Sequence, residues 1–331
     1  MKVLLTGSSG LIGSHLLELL LDSSHEISIL QRAGIHADSA RIHDSRLTVF
    51  EADYESAETL QAAVAEQHII IHCAGVTKVR HYSDFFRYNT RVTENLIAAI
   101  QAVNPRLKRL IYFSSLAAAG PADKDQPLTE DQPPHPISWY GKSKLEAEDR
   151  LRRSGLYYTI VRPCAVYGPR DKDVFVYFKL LNHRLAPIIG NGKQQLSMIH
   201  VADVAAAVMR ILGRLPETRN RTYFLSDGQI YDWLTLRSEL IRLLEGRSPQ
   251  SILKIRVPLS LLYPIAWMVE RWNGLFGRIP ALNREKVSEM RRQAWTCSIH
   301  QARNDLAFEP VFTLENGLKN TLEWYQNHHW L

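Results

Sequence analysis

The chain has 331 residues, 45% of them hydrophobic, and a formal net charge of +6. That length buries a substantial core in one large unit or two coupled ones. No run approaches the ~18 apolar residues of a membrane span. Lys and Arg are spread along the chain, with short clusters only at Arg150–Arg153 and Arg291–Arg292. A nucleic-acid stripe would be denser and interleaved with aromatics, so the charge reads as solvated surface that also attracts an anionic cofactor or substrate.

Three cysteines, Cys73, Cys164 and Cys297, are odd in number and far apart. They suit reduced thiols in the cytoplasm and not a disulfide frame. The first residues read as a core strand, not a leader. His68 and His72 share one strand face but are separated by isoleucines, so they read as ordinary strand residues and no metal site is expected.

In chain order, Met1–Leu5 is a short apolar strand, and Leu11, Ile12, Leu16, Leu19 and Leu20 repeat at helical spacing. The run TGSSGLIG, Thr6 to Gly13, falls at the turn between them. Gly7, Gly10 and Gly13 there permit a tight path, close approach of a pyrophosphate and close helix–strand packing, with helix-start N–H groups aimed at the anion. Further strands are expected at Glu26–Leu30, Leu47–Phe50, Ile69–His72, Arg109–Phe113 and Tyr157–Val161. Helical patterns alternate with them, which is the signature of an α/β, doubly wound parallel sheet of Rossmann type.

The second strand ends in Gln31 and Arg32. No acid stands there to accept from an adenosine ribose, and a guanidinium can grip a 2′-phosphate bidentately. NADP is therefore expected, with NAD as the alternative. Asp53-Tyr54 follows the third strand. Cys73-Ala74-Gly75 ends the fourth, where small residues let a dinucleotide lie against the backbone. Phe113-Ser-Ser-Leu-Ala-Ala-Ala-Gly120 leaves the fifth strand. In Tyr140-Gly-Lys-Ser-Lys144 the tyrosine and the last lysine sit one helical turn apart, on one face.

Beyond Gly168, Val174–Leu181 reads as a helix and Gly190-Asn-Gly192 as a turn. Ser197–Val204 reads as a strand entering a helix, and Arg221–Leu225 as a last sheet strand. The chain thus crosses between regions more than once. Residues 1–167 and 200–226 are assigned to dinucleotide binding, and a smaller α+β substrate region takes 168–199 and 227–331. The apolar stretch Leu259–Val269 is expected to stop at Glu270-Arg271. It reads as a packed lid or dimer-facing helix, with membrane-surface contact through 259–276 as the alternative.

The order and separation of TGSSGLIG and Tyr-Gly-Lys-Ser-Lys resemble the short-chain dehydrogenase/reductase superfamily. The TGxxGxxG spacing and long C-terminal region resemble its extended, epimerase/dehydratase branch. The resemblance runs over nearly the whole chain and is strongest from Met1 to Gly168. It implies dinucleotide contacts at Gly7, Ser9, Gly10, Leu11, Ile12 and Gly13, at Asp53 and Tyr54 beside the adenine, and at Cys73, Ala74 and Gly75. The segment Arg162-Pro-Cys-Ala-Val-Tyr-Gly-Pro169 resembles RPxxVYGP, which brings Pro163 and Val166 to the nicotinamide end. Asn89 corresponds to an asparagine that braces the central strands.

The resemblance also implies that Ser115 bonds the reacting oxygen, with Ser114 in its place if the register slips by one. Tyr140 becomes the acid/base and Lys144 both tunes it and binds the nicotinamide ribose. A free tyrosine near pKa ~10 is a poor base at neutral pH, and an ammonium one turn away, assisted by the positive nicotinamide ring, would lower it. A homodimer through a four-helix face is common in such proteins.

Leu116 and Ala117 stand where sugar-nucleotide 4,6-dehydratases need acids, and Ala119 where many epimerases carry a tyrosine. The SSLAAAGP loop, Arg32 and the apolar 259–276 segment look closer to hydroxysteroid-dehydrogenase and dihydroflavonol-reductase-like members. The expectation is an NADP-preferring oxidoreductase that interconverts a secondary alcohol and a ketone on a small apolar or aromatic molecule. One alternative is an NAD-dependent sugar-nucleotide epimerase. The other is a dinucleotide-binding scaffold or sensor, against which Ser115, Tyr140 and Lys144 together argue.

Overall fold

The computed structural model describes residues 1–32, 44, 46–243, 252–276 and 283–331. The first half of the main sheet is laid down by β1 (Lys2–Thr6), α1 (Leu11–Leu21), β2 (Glu26–Gln31), β3 (Leu47–Glu51), α2 (Ala57–Val64) and β4 (Ile69–His72). The second half begins with α3 (Ser83–Phe85), a π-helical segment (Phe86–Arg91) and α4 (Val92–Val103). It continues through β5 (Arg109–Phe113), α5 (Leu116–Ala119), α6 (Trp139–Arg153) and β6 (Tyr158–Pro163).

Thereafter come β7 (Ala165–Tyr167), α7 (Lys172–Asn182), β8 (Leu185–Ile189), β9 (Gln195–Leu196), β10 (Met198–His200) and α8 (Val201–Leu212). The chain re-enters the main sheet at β11 (Arg221–Leu225) and leaves through β12 (Tyr231–Asp232), α9 (Trp233–Leu243), β13 (Leu253–Val257) and α10 (Leu259–Leu275). The last elements are α11 (Arg284–Met290), β14 (Ala294–Trp295), α12 (His300–Leu306) and α13 (Leu314–Asn327).

Seven strands pair in parallel in the order β11-β6-β5-β4-β1-β2-β3. Alternation along each strand sends successive side chains to opposite faces. Val3, Leu5, Ile27, Ile29, Ile69 and Ile71 pack under α1 and α8, while Leu4, Ile70, Leu110 and Ile160 pack under α4 and α6. Burial on both faces is why these strands read as unbroken apolar runs. The order reverses between β1 and β4, and that switch point opens a crevice at the carboxyl ends of the strands.

The C-terminal part is tied back to the sheet. The Asp203 carboxylate accepts from the backbone N–H groups of Val311 and Phe312 at 2.9 and 3.1 Å. The Tyr325 hydroxyl donates to the Asp171 carbonyl at 2.6 Å.

Two expectations need correction. The apolar helix does not stop at Glu270-Arg271 but runs on to Leu275. Glu270 turns inward, where its carboxylate accepts from Tyr82 and Arg284, so the charge is satisfied without ending the helix. The cysteines are not all apart either. Cys164, leaving β6, and Cys297, following β14, lie in thiol–thiol contact, both buried. The strand segment at Ser197 draws them together: Ala165 donates to its carbonyl and Cys297 to its hydroxyl.

Candidate active site

Gly7 ends β1 with φ +75°, and a Cβ there would stand 2.6 Å from the Ala74 nitrogen. On Gly13 a Cβ would reach 2.1 Å from the Gly7 carbonyl oxygen, a clash of backbone with backbone. Both positions therefore demand glycine, and the turn packs tightly against the end of β4. Gly10 caps α1 without a side chain, leaving the first N–H groups of the helix free of side-chain partners. Ser9 and Gly10 are exposed on this rim, and Leu11 and Ile12 are half-buried behind it. This is a cradle into which a pyrophosphate fits, with the helix N-terminus facing the negative charge.

Beneath it, Thr6 and His72 share a 2.7 Å hydrogen bond, and Ala74 N–H donates to the Thr6 hydroxyl at 3.2 Å. Burial pushes His72 down to about 3, so the imidazole is neutral and serves as a brace between β1 and β4.

Arg32 is exposed just past β2. Asp53 is exposed and accepts from Glu55 N–H at 2.9 Å. Tyr54 is buried and its hydroxyl donates to the Leu30 carbonyl at 2.7 Å, which places it as a strut under β2 and not as a lining side chain. Cys73 and Ala74 are half-buried along the groove, and Gly75 is exposed at its end. A Cβ on Gly75 would stand 2.8 Å from Asn89 Oδ1 and 3.1 Å from Lys144 Nζ. Asn89 accepts from Val76 N–H at 2.8 Å and donates to its carbonyl at 3.1 Å and to Ser143 Oγ at 3.0 Å. It thus locks the chain after β4 onto α6. Its place is inside the π-helical segment, a local widening often found at functional sites.

Ser115 follows β5 and caps α5, its hydroxyl accepting from Ala117 N–H at 3.1 Å. The same side chain lies beside the Tyr140 phenol. Ser114 is buried in the fold, with its backbone N–H on Val161. A Cβ on Gly141 would lie 2.2 Å from the Ala117 carbonyl, so only glycine lets α6 settle this close to α5. That contact sets the meeting of Ser115 and Tyr140.

Burial raises the Tyr140 phenol to about 12, with Ser115 opposing and Glu289 reinforcing the rise. Burial also lowers the Lys144 ammonium to about 8. Lys144 donates to the Phe113 carbonyl at 2.8 Å and stands 5.0 Å over the Tyr112 ring. The expected lowering of the phenol by Lys144 is therefore not a property of the protein alone. Desolvation wins, and the phenol is protonated at neutral pH.

Pro163 is buried at the end of β6, paired with Leu225, and Val166 is half-buried in β7. The carboxyl ends of β1, β4, β5 and β6 thus bring the glycine turn, Cys73–Gly75, Ser115 and Pro163 to one edge, with Tyr140 and Lys144 reaching in from α6. Sequence reading missed Glu285 on α11, whose carboxylate accepts from Tyr140 N–H at 3.1 Å. No local spacing could reveal it, because 145 residues separate the two. Lys78 and Asp173 also pair, 95 residues apart in sequence, another contact without a sequence signal.

The model of the NAD dependent epimerase/dehydratase family matches residues 3–225. The chain belongs to that family. It is an NAD(P)-dependent enzyme of the extended short-chain dehydrogenase/reductase type, with the Rossmann sheet of that group. Among curated relatives, a ceramide reductase of Caulobacter vibrioides is 26% identical, over 99% of this chain and 96% of its own. A 3 beta-hydroxysteroid dehydrogenase/Delta 5-->4-isomerase of Mycobacterium tuberculosis is 24% identical, over 98% of this chain and 90% of its own. Among solved structures, UDP-glucuronic acid 4-epimerase from Bacillus cereus, in complex with NAD, superposes with a TM-score of 0.78 at 20% identity, covering 99% of this chain and all of its own. Family members of this shape thus span reductases, dehydrogenases and epimerases.

Proposed function

We propose that this family member is an NADP-preferring oxidoreductase of the cytoplasm that interconverts a secondary alcohol and a ketone on an apolar or aromatic molecule. The observation that carries the reading is the wall beside Ser115 and Tyr140. Leu116 and Ala119 are buried there with Ala117 half-buried between them, so the loop offers no carboxylate for elimination. The acids near Tyr140, Glu285 and Glu289, belong to α11 and not to this loop, and Glu285 is held by backbone N–H. The ceramide reductase and hydroxysteroid dehydrogenase likenesses point the same way.

In this reading the Gly7–Gly13 turn holds the pyrophosphate and Lys144 the ribose beside Gly75. The bound nicotinamide supplies or takes the hydride. Ser115 positions the substrate oxygen and Tyr140, protonated, gives it a proton in the reductive direction. Leu116, Ala117 and Ala119 keep that side of the site apolar.

Cofactor choice rests on Arg32. The variant Arg32→Ala is expected to weaken NADP far more than NAD, since only NADP carries the phosphate. A lost charged hydrogen bond of ~1.5–3 kcal/mol corresponds to about ten- to a hundredfold. Titration of both cofactors by calorimetry decides it, and equal losses would make Arg32 a surface charge.

The reaction class is tested by the fate of the cofactor. A reductase exchanges its dinucleotide every turnover, so protein purified without additives should release little on denaturation. It should also change NADPH absorbance with an apolar ketone. Near-stoichiometric retained NAD together with binding of a nucleotide-sugar would instead establish the epimerase.

A further inference from the structure

Helix α10 has two unlike faces. Its inner face buries Leu262 and Ala266 against Val287 of α11. Glu270 on that side accepts from the Tyr82 hydroxyl at 3.0 Å and from Arg284 N–H and Nε at 2.7 Å each. Helix α11 then places Glu285 on Tyr140, so α10 is fastened to the roof of the proposed reaction site.

The outer face is apolar and in solvent. At 100° per residue, Leu261, Met268 and Trp272 fall within one narrow stripe, and all three are exposed, Trp272 by 67%. Phe276, 60% exposed, extends the stripe, and exposed Trp267 lies toward its flank. A concentration of this kind marks an interaction surface, because scattered single residues are the ordinary condition of a protein surface.

Its charges decide the occupant. The guanidinium of Arg271 stands 5.5 Å from the Trp267 ring centroid. Glu270 is the only acid from 259 to 276, and it faces inward. A second copy docked face to face would offer Arg271 no acid from this helix to pair with. Indole rings, one of them paired with a guanidinium, beside an apolar stripe are instead suited to the headgroup layer of an anionic membrane. No helix among the described residues is long and apolar enough to cross a membrane, so contact would be along the surface.

We propose that the outer face of α10 docks this protein on an anionic lipid bilayer and lays the roof of the reaction site against the apolar phase. The apolar substrate rests on the function proposed above, whereas docking rests on the surface alone. The test is flotation of the full chain with vesicles of equal parts phosphatidylcholine and phosphatidylglycerol, and with phosphatidylcholine vesicles, at low and high salt. The wild type should float with the anionic vesicles and do so less at high salt. The double variant Trp267→Ser with Trp272→Ser should lower the bound fraction at least about tenfold. Arg271→Glu should lower it several-fold on anionic vesicles and little on neutral ones.

Cofactor titration and circular dichroism of the variants show that the fold is kept, since none of these side chains belongs to the cofactor groove. Flotation needs no turnover, so a wrong assignment of the reaction would leave this result standing. A wild type that stays at the bottom of the gradient overturns the proposal, and so does a double variant that floats like the wild type. A dimer in sedimentation that the double variant turns into monomer would give the face to a second copy and also overturn it.

Discussion

Replacing Tyr140 by phenylalanine should abolish turnover while leaving cofactor affinity nearly intact. Only a hydroxyl is lost, and the ring stays 5.8 Å from Phe85, centroid to centroid. General acid–base groups of this kind contribute roughly 10²–10⁴-fold, so single-turnover rates should fall by about a thousandfold. Lys144→Ala should damage both quantities, because the ammonium stands next to Gly75 in the groove as well as one turn from the phenol. The pH dependence follows from the two shifts. With the phenol pushed up to about 12 and the ammonium down to about 8, reduction should be level near neutrality. It should decline above pH about 8 as Lys144 loses its proton, long before the phenol does. Single-turnover absorbance of NADPH against pH measures both. Turnover in Tyr140→Phe at a tenth of wild type would defeat the proposed role.

Much of this arrangement was legible because it is local. The strand ends at Leu47, Ile69, His72, Arg109, Phe113, Arg221 and Leu225 fall where the apolar runs place them. A fully buried parallel strand bounded by a turn has few other ways to read. Gly7 and Gly13 carry their reason in their own backbone geometry, and the four-residue step from Tyr140 to Lys144 is fixed by the helix. What sequence could not give arises from long-range packing. Glu285 reaches Tyr140 from the opposite end of the chain, and Cys164 meets Cys297 only because both flank Ser197. The direction of the Tyr140 shift depends on how deeply the phenol is buried and on Lys144 having another acceptor. Spacing reports neither. Glu270 misled because glutamate is itself a good helix former, so a charge can interrupt an apolar run without ending the helix.

The largest stability loss should come from the buried ion pair behind this site. Glu148 lies one helical turn past Lys144, fully buried, and its carboxylate accepts from Arg162 Nε and Nη2 at 2.9 and 2.6 Å. Arg152 adds a third contact at 2.7 Å. Burial alone would push the Glu148 carboxyl up, but the Arg162 hydrogen bonds and charge, with Arg152, hold it below the ordinary carboxylate value. Arg162 is itself almost wholly buried, so Glu148→Ala strands a guanidinium in the core. Breaking such a pair costs about 3–5 kcal/mol, whereas replacing both partners by apolar groups can be close to neutral. Urea unfolding at neutral pH should therefore show a large drop for Glu148→Ala and recovery of most of it in Glu148→Leu with Arg162→Met. Because the folded carboxyl titrates below its unfolded value, the pair's contribution is complete above the ordinary carboxylate range and is lost as the pH falls through the folded value. The gap between wild type and Glu148→Ala should accordingly narrow in acid. A gap under about 1 kcal/mol at neutral pH would show that α6 is held in place by its apolar face alone.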